Sequence, residues 1–237
     1  MTEIKVERVK THIRKLDELL AGGIPIQSIV MLTGRAGTMK SSLAFAILCN
    51  QAKFENKTSL YLTLEQERDN LLKHVKNMGM DYPENLVHVS DISMVREMLH
   101  DEESKEINWW ETILSYVRSV KNFQGCDFVV IDSFSALCAL SRMVNPRDEI
   151  FFFFRELRGL KLTVFIISEI PSTNEYALSV YGVEEYLADG IIHLDRVRTK
   201  TTVNYYLGIV KMRATPHKQG YFPMMFKEKE GFDFTIS

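Results

Sequence analysis

Apolar positions along this chain fall into short runs that end on glycine or an acid. Between them lie stretches where apolar residues recur every three or four positions. Ile29 to Leu32 is one such run, short enough for a buried strand. It passes through Gly34-Arg35-Ala36-Gly37 and Thr38-Met39-Lys40-Ser41 into a segment with Leu43, Ala46 and Ile47 at helical spacing. Leu60, Leu62 and Leu64 alternate and predict a strand that delivers Glu65 to its carboxyl end. Leu86 to Val89 reads as a shorter strand, Phe128 to Ile131 as one ending on Asp132, and Thr163 to Ile167 as one ending on Ser168 and Glu169.

The intervening stretches predict helices. Ile13, Leu16, Leu19 and Leu20 share one helical face, and Gly22-Gly23 followed by Pro25 ends that helix. Leu71, Leu72 and Val75 mark a second, with Glu65 open to reading as an acid near its start. Trp109 and Trp110 open a third, as core anchors or, alternatively, as stacking platforms for a base. Asn145-Pro146-Arg147-Asp148 starts a fourth, whose run Phe151 to Phe154 is expected in the core. Residues 101–106 read as a solvated charge run and 171–190 as a mobile loop with a short helix. After Ile191 to Leu194 the pattern turns to β-type runs, Val203 to Val210 and Tyr221 to Phe226. These predict an α/β fold: a mostly parallel central sheet flanked by helices, with an antiparallel C-terminal extension.

Composition changes little in this picture. With 237 residues, 46% hydrophobic and 25% charged, the chain has the make-up of a soluble globular protein, read as one domain over 1–237. A formal net charge of −2 gives no global attraction for nucleic acid or anionic membrane. Cys49, Cys126 and Cys138 lack metal-ligand spacing and read as buried thiols in a reducing compartment. The amino terminus alternates charge, unlike a signal peptide, and no run reaches membrane-span length, so a cytoplasmic protein is expected.

The chemistry concentrates at strand ends. Strand, glycine turn, Lys40-Ser41 and helix make a phosphate-binding P-loop. Its backbone N–H groups, from Gly34 through Ser41 and on to Ser42, form a cradle for ATP or ADP phosphates, reinforced by the helix dipole. Lys40 would reach the β- and γ-phosphates, and the Ser41 hydroxyl would hold Mg²⁺. Met39 replaces the glycine usual before the lysine. A place in the first helical turn, with negative φ, would make methionine comfortable there. Asp132 supplies the acid that holds Mg²⁺ through its water shell, and Glu65 a carboxylate able to deprotonate an attacking water.

Together these residues resemble the KaiC/RadA branch of RecA-type ATPases. The likeness rests on Leu16-Asp17-Glu18-Leu19-Leu20-Ala21-Gly22-Gly23-Ile24-Pro25, the P-loop, Leu62-Thr63-Leu64-Glu65, and the Asp132-Ser133 strand end. Tyr181-Gly182-Val183-Glu184-Glu185-Tyr186 and Lys211-Met212-Arg213-Ala214-Thr215-Pro216-His217 complete it. The resemblance implies a RecA-type P-loop fold and makes Glu65 the catalytic base, with Gln66 in place of a frequent second glutamate. Ser168 and Glu169 fall where that fold senses the γ-phosphate. It also implies that Lys211 and Arg213 reach a neighbouring subunit's nucleotide in a homo-oligomer, with Met212, Thr215 and His217 on the same segment. The other reading of the pair is a basic edge strand. Single- or double-stranded DNA is an alternative partner: the family places DNA contacts in the loop from Pro171 to Gly182. That loop lacks Lys and Arg, whereas Arg196, Arg198, Lys200 and Lys218 follow it.

Overall fold

The computed structural model describes residues 6–97, 107–170, 177–228 and 230–235. The charge run at 101–106 and the first part of the 171–182 loop lie outside them. In chain order the elements are β1 (Arg8–Val9), α1 (Arg14–Leu19), β2 (Ile24–Pro25), β3 (Ile29–Gly34), α2 (Lys40–Glu55), β4 (Ser59–Thr63) and α3 (Arg68–Asn77). Next come β5 (Val87–Asp91), α4 (Ile92–Glu97), α5 (Trp109–Gln124), β6 (Phe128–Asp132), α6 (Phe134–Ser141), α7 (Pro146–Gly159) and β7 (Thr163–Glu169). The chain closes with α8 (Val183–Leu187), β8 (Gly190–Arg198), β9 (Val203–Met212), β10 (Tyr221–Lys227) and β11 (Gly231–Phe234).

The main sheet runs in the order β11-β10-β9-β8-β3-β7-β6-β4-β5. From β8 to β5 every pairing is parallel, and β9, β10 and β11 follow antiparallel. This is the predicted architecture. The central strands are apolar on both faces because both faces are covered. On one face Val30, Leu32, Val130 and Ile167 pack with Leu43, Ala44 and Ile47 of α2. On the other, Ile29, Met31, Ile131 and Ile166 pack with Ile113 and Val117 of α5 and Phe153 and Phe154 of α7. No described helix is long and apolar enough to cross a membrane.

The tryptophans are anchors. Trp109 is buried, and Trp110 lies 4.8 Å from Phe153, ring to ring, with its Nε1 donating to Glu149 Oε2 at 3.0 Å. The phenylalanine run is only half in the core, against expectation. Phe153 and Phe154 are buried, while Phe151 and Phe152 are 48% and 50% exposed. Four consecutive helical residues point around most of a turn, so one sheet-facing stripe cannot take them all. Arg155 covers the ring of Phe152 instead, 4.9 Å from its centroid. Among the thiols, Cys49 and Cys138 are buried, but Cys126 is only partly so. Burial pushes the Cys49 and Cys126 thiols up to about 12, which leaves them unreactive.

Candidate functional site

Parallel strands place their carboxyl ends on one edge of the sheet, where open α/β sheets receive ligands. Here β3, β4, β6 and β7 bring the P-loop, Glu65, Asp132 and Glu169 to that edge. Their side chains, with those of Thr38, Met39, Ser41 and Ser42, line one cavity of ≈ 420 Å³. Phe45, Leu71, Val75, Met80 and Tyr205 supply its apolar wall.

The loop is built around close approaches. At Gly34 a Cβ would stand 2.1 Å from the Leu194 carbonyl oxygen, so only glycine lets β3 turn beside β8. Thr38 Oγ1 donates to Arg35 O at 2.9 Å, which closes the loop on itself. Lys40 is buried beneath it and donates through Nζ to Gly34 O at 2.8 Å and Arg35 O at 3.0 Å, with Glu169 Oε1 at 3.9 Å. Burial holds the Lys40 ammonium below its ordinary pKa; the charges of Glu169, Asp132 and Glu65 act against that shift.

Met39 departs from expectation. It is the N-cap residue of α2, with φ 69° and ψ 23°, in the left-handed region rather than the first helical turn. The loop must reverse there to aim the first N–H groups of α2 at its own interior, and that reversal is why glycine is usual. The methionine side chain is half-buried and packs against the core. A left-handed non-glycine residue costs about 1–2 kcal/mol, and the packing of a half-buried side chain returns up to about 1 kcal/mol. Met39→Gly is therefore expected to raise the thermal midpoint slightly and to change ATP affinity by less than about tenfold. A midpoint that drops, as it would for a glycine inside a helix, would reverse this assignment.

The acids are tightly held. Asp132 is buried and accepts a hydrogen bond from Tyr61 Oη; burial, the larger influence, pushes its carboxyl upward against the pull of Tyr61 and the Ser41 hydroxyl. Glu65 is exposed beyond the end of β4 and accepts from Ser133 Oγ, which also caps α6 through Ala136 N at 3.2 Å. Since α3 begins at Arg68, with Glu67 as its N-cap, Glu65 does not open that helix. Among the described residues no group of three or more His, Cys, Asp and Glu could hold a metal ion alone. One or two protein oxygen ligands, completed by nucleotide phosphates and water, are nonetheless usual for Mg²⁺, and Asp132 and Ser41 on one cavity fit that share.

Lys211 and Arg213 are brought together, but on the opposite edge. The pairing of β8 with β9 skips Val210, a bulge that aims the tail of β9 at α8. Lys211 Nζ donates to the carbonyls of Glu185 at 2.8 Å and Ala188 at 2.7 Å. Arg213 donates to Asp189 Oδ1 at 2.8 Å and to Tyr186 O at 2.9 Å. Asp189 N in turn donates to Ile29 O, so the pair lies level with the start of β3, five residues before Gly34. That is about 17 Å along the strand from the P-loop. Thr215 and His217 follow on the irregular segment after β9, both half-buried. The basic residues named beside the 171–182 loop separate. Arg196 and Arg198 lie on the β8–β9 hairpin, with Arg196 against Gly37, whereas Lys218 N donates to Leu19 O in the segment leading to β3.

The sequence matches the family described as the KaiC ATPase over residues 9–235. This chain belongs to the KaiC ATPase family. It is 30% identical over 234 residues to a UPF0273 protein of Pyrobaculum aerophilum, covering 94% of this chain and 81% of that protein. The circadian clock oscillator protein KaiC of Nostoc is 24% identical over 224 residues, covering 92% of this chain but 42% of that protein. The KaiC-family chain thus spans less than half of the clock protein's length. The crystal structure of a KaiC-like protein from Pyrococcus horikoshii has the same fold, with a TM-score of 0.81, 26% identity, and coverage of 98% and 100% of the two chains.

Two residues of the site escaped the sequence reading. Tyr61 binds Asp132, and the signal for it was a tyrosine inside an otherwise apolar strand, since a buried phenol needs a partner. Asp189 accepts from Ile29 N, Arg158 and Arg213 together, and the only signal was an acid immediately before a strand.

Proposed function

We propose that this KaiC-family chain, acting as one domain, binds ATP with Mg²⁺ and hydrolyses it, coupling turnover to head-to-tail assembly. The observation that carries the reading is the gathering of Lys40, Ser41, Asp132, Glu65 and Glu169 on one cavity. Backbone N–H groups from Gly34 to Ser42 and the start of α2 bind the phosphates. Lys40 exchanges its bonds to the Gly34 and Arg35 carbonyls for phosphate oxygens. Ser41 and Asp132 would hold the Mg²⁺, which would supply charge neutralisation to the bound phosphates. Glu65, oriented by Ser133, takes the proton of the attacking water, and Glu169, on the same cavity, senses the γ-phosphate.

Lys211 and Arg213 cannot serve the P-loop of their own chain from the far edge of the sheet. A neighbour stacked head to tail brings them to its nucleotide, where they stabilise transition-state charge. Two inactive variants, Lys40→Ala and Arg213→Ala, test this when mixed. Some interfaces then pair an intact P-loop with an intact Arg213, and ATP turnover should partly return. A mixture that co-assembles yet stays inactive would place the cations outside the reaction. Single-stranded DNA belongs in the same assay: a large rise in turnover on its addition would favour the DNA-dependent alternative.

A further inference from the structure

We infer that Arg8 positions the Lys211–Arg213 pair for the neighbouring subunit's nucleotide, an inference that rests on the shared-site reading above. Arg8 belongs to β1, which pairs with β2 next to Gly22-Gly23. A Cβ on Gly23 would stand 2.2 Å from the Val9 carbonyl oxygen, so the glycine is what lets β1 lie this close. From there the guanidinium spans more than two hundred residues of chain. Nη1 donates to Gly23 O at 3.1 Å and to Thr215 Oγ1 at 2.8 Å, and Nη2 donates to Ala214 O at 2.7 Å.

Those contacts fall on a turn that needs support. Ala214, immediately after Arg213, has φ 53°, a left-handed conformation that a non-glycine residue holds only when its surroundings impose it. Arg213 O accepts from Thr215 Oγ1, so the clamp reaches the backbone of Arg213 through one hydroxyl. On the other side Asp189 and Tyr186 hold its guanidinium. Arg8 thus fixes the backbone from which the side chain extends, and it touches no part of the chain's own P-loop cavity. A planar fork with several fixed donors suits this task, whereas a lysine offers one mobile point of attachment.

The test uses Arg8→Gln, with Arg8→Lys as the conservative variant, in the full chain. Arg8→Gln should lower turnover about tenfold or more, the scale of a small misplacement of a reacting group, and Arg8→Lys should lower it less. Mixing discriminates positioning from general damage. Arg8→Gln mixed with Lys40→Ala should recover activity, because the Arg8 variant contributes an intact P-loop. Arg8→Gln mixed with Arg213→Ala should not, because both supply defective cations. Should Arg8→Gln fail to fold, Arg8→Lys carries the same two mixtures. Full activity of the Arg8 variants, or equal recovery in both mixtures, overturns the inference. If Lys40→Ala and Arg213→Ala co-assemble without recovery, the shared-site reading fails and the inference falls with it.

Discussion

Lys40→Ala is expected to abolish measurable ATP binding while the chain stays folded. The ammonium is almost fully enclosed by the loop, 5% exposed, and two backbone carbonyls hold it where phosphate oxygens are expected. Charge-assisted hydrogen bonds contribute about 1.5–3 kcal/mol each. Losing two of them to phosphate weakens binding by about a hundredfold or more. The fold survives because the strands around the loop are held by their own ladder and by apolar packing on both faces. Two carbonyls lose a donor, at about 1–3 kcal/mol for each that stays dry, which lowers the midpoint without preventing folding. Calorimetry with ATP and Mg²⁺ checks it: a variant that binds as tightly as the parent would remove the P-loop from the site.

Glu65→Gln should bind ATP normally and turn it over about 10²-fold more slowly, or worse, the scale of a lost general base. Glutamine keeps the size of the side chain, and its carbonyl oxygen still accepts from Ser133 Oγ, so position is conserved while basicity is removed. That makes this a cleaner substitution than alanine, which would also release Ser133, the cap of α6. Steady-state turnover and calorimetry on the same preparation separate the two effects. Turnover equal to that of the parent would assign the base elsewhere on the cavity wall, with Glu169 the next carboxylate along it.

Most of the fold could be read from the chain because its central strands are short, apolar and end at or near a glycine or an acid. β3, β4, β6 and β7 each announced themselves by a run that stopped at Gly34, Glu65, Asp132 or Glu169. The strand, turn and helix around Lys40 were legible from an apolar run, two glycines and the helical spacing that follows. What the chain concealed was conformational or distant. A methionine gives no sign that it will take φ 69°, because the loop's reversal imposes the angle. Periodicity finds helix faces but does not say which of Phe151 to Phe154 will point at the sheet. The small β1–β2 pair went unseen because two-residue strands carry no pattern, and Arg8 with it. Asp189 reads as an ordinary acid until α7, the end of β9 and the start of β3 bring Arg158, Arg213 and Ile29 around it.

The two ends of β3 have unequal duties. Its carboxyl end carries the loop that receives a nucleotide, and its amino end lies level with the cations that would serve someone else's. A molecule so divided has a direction. In any open row of such subunits one terminal member faces solvent with its loop unserved, and the other holds cations with nothing to meet. Only a row that closes on itself gives every member both. On the proposed shared site, short open rows are expected to be less active per subunit than long ones, because growth by one subunit repairs one site while exposing another.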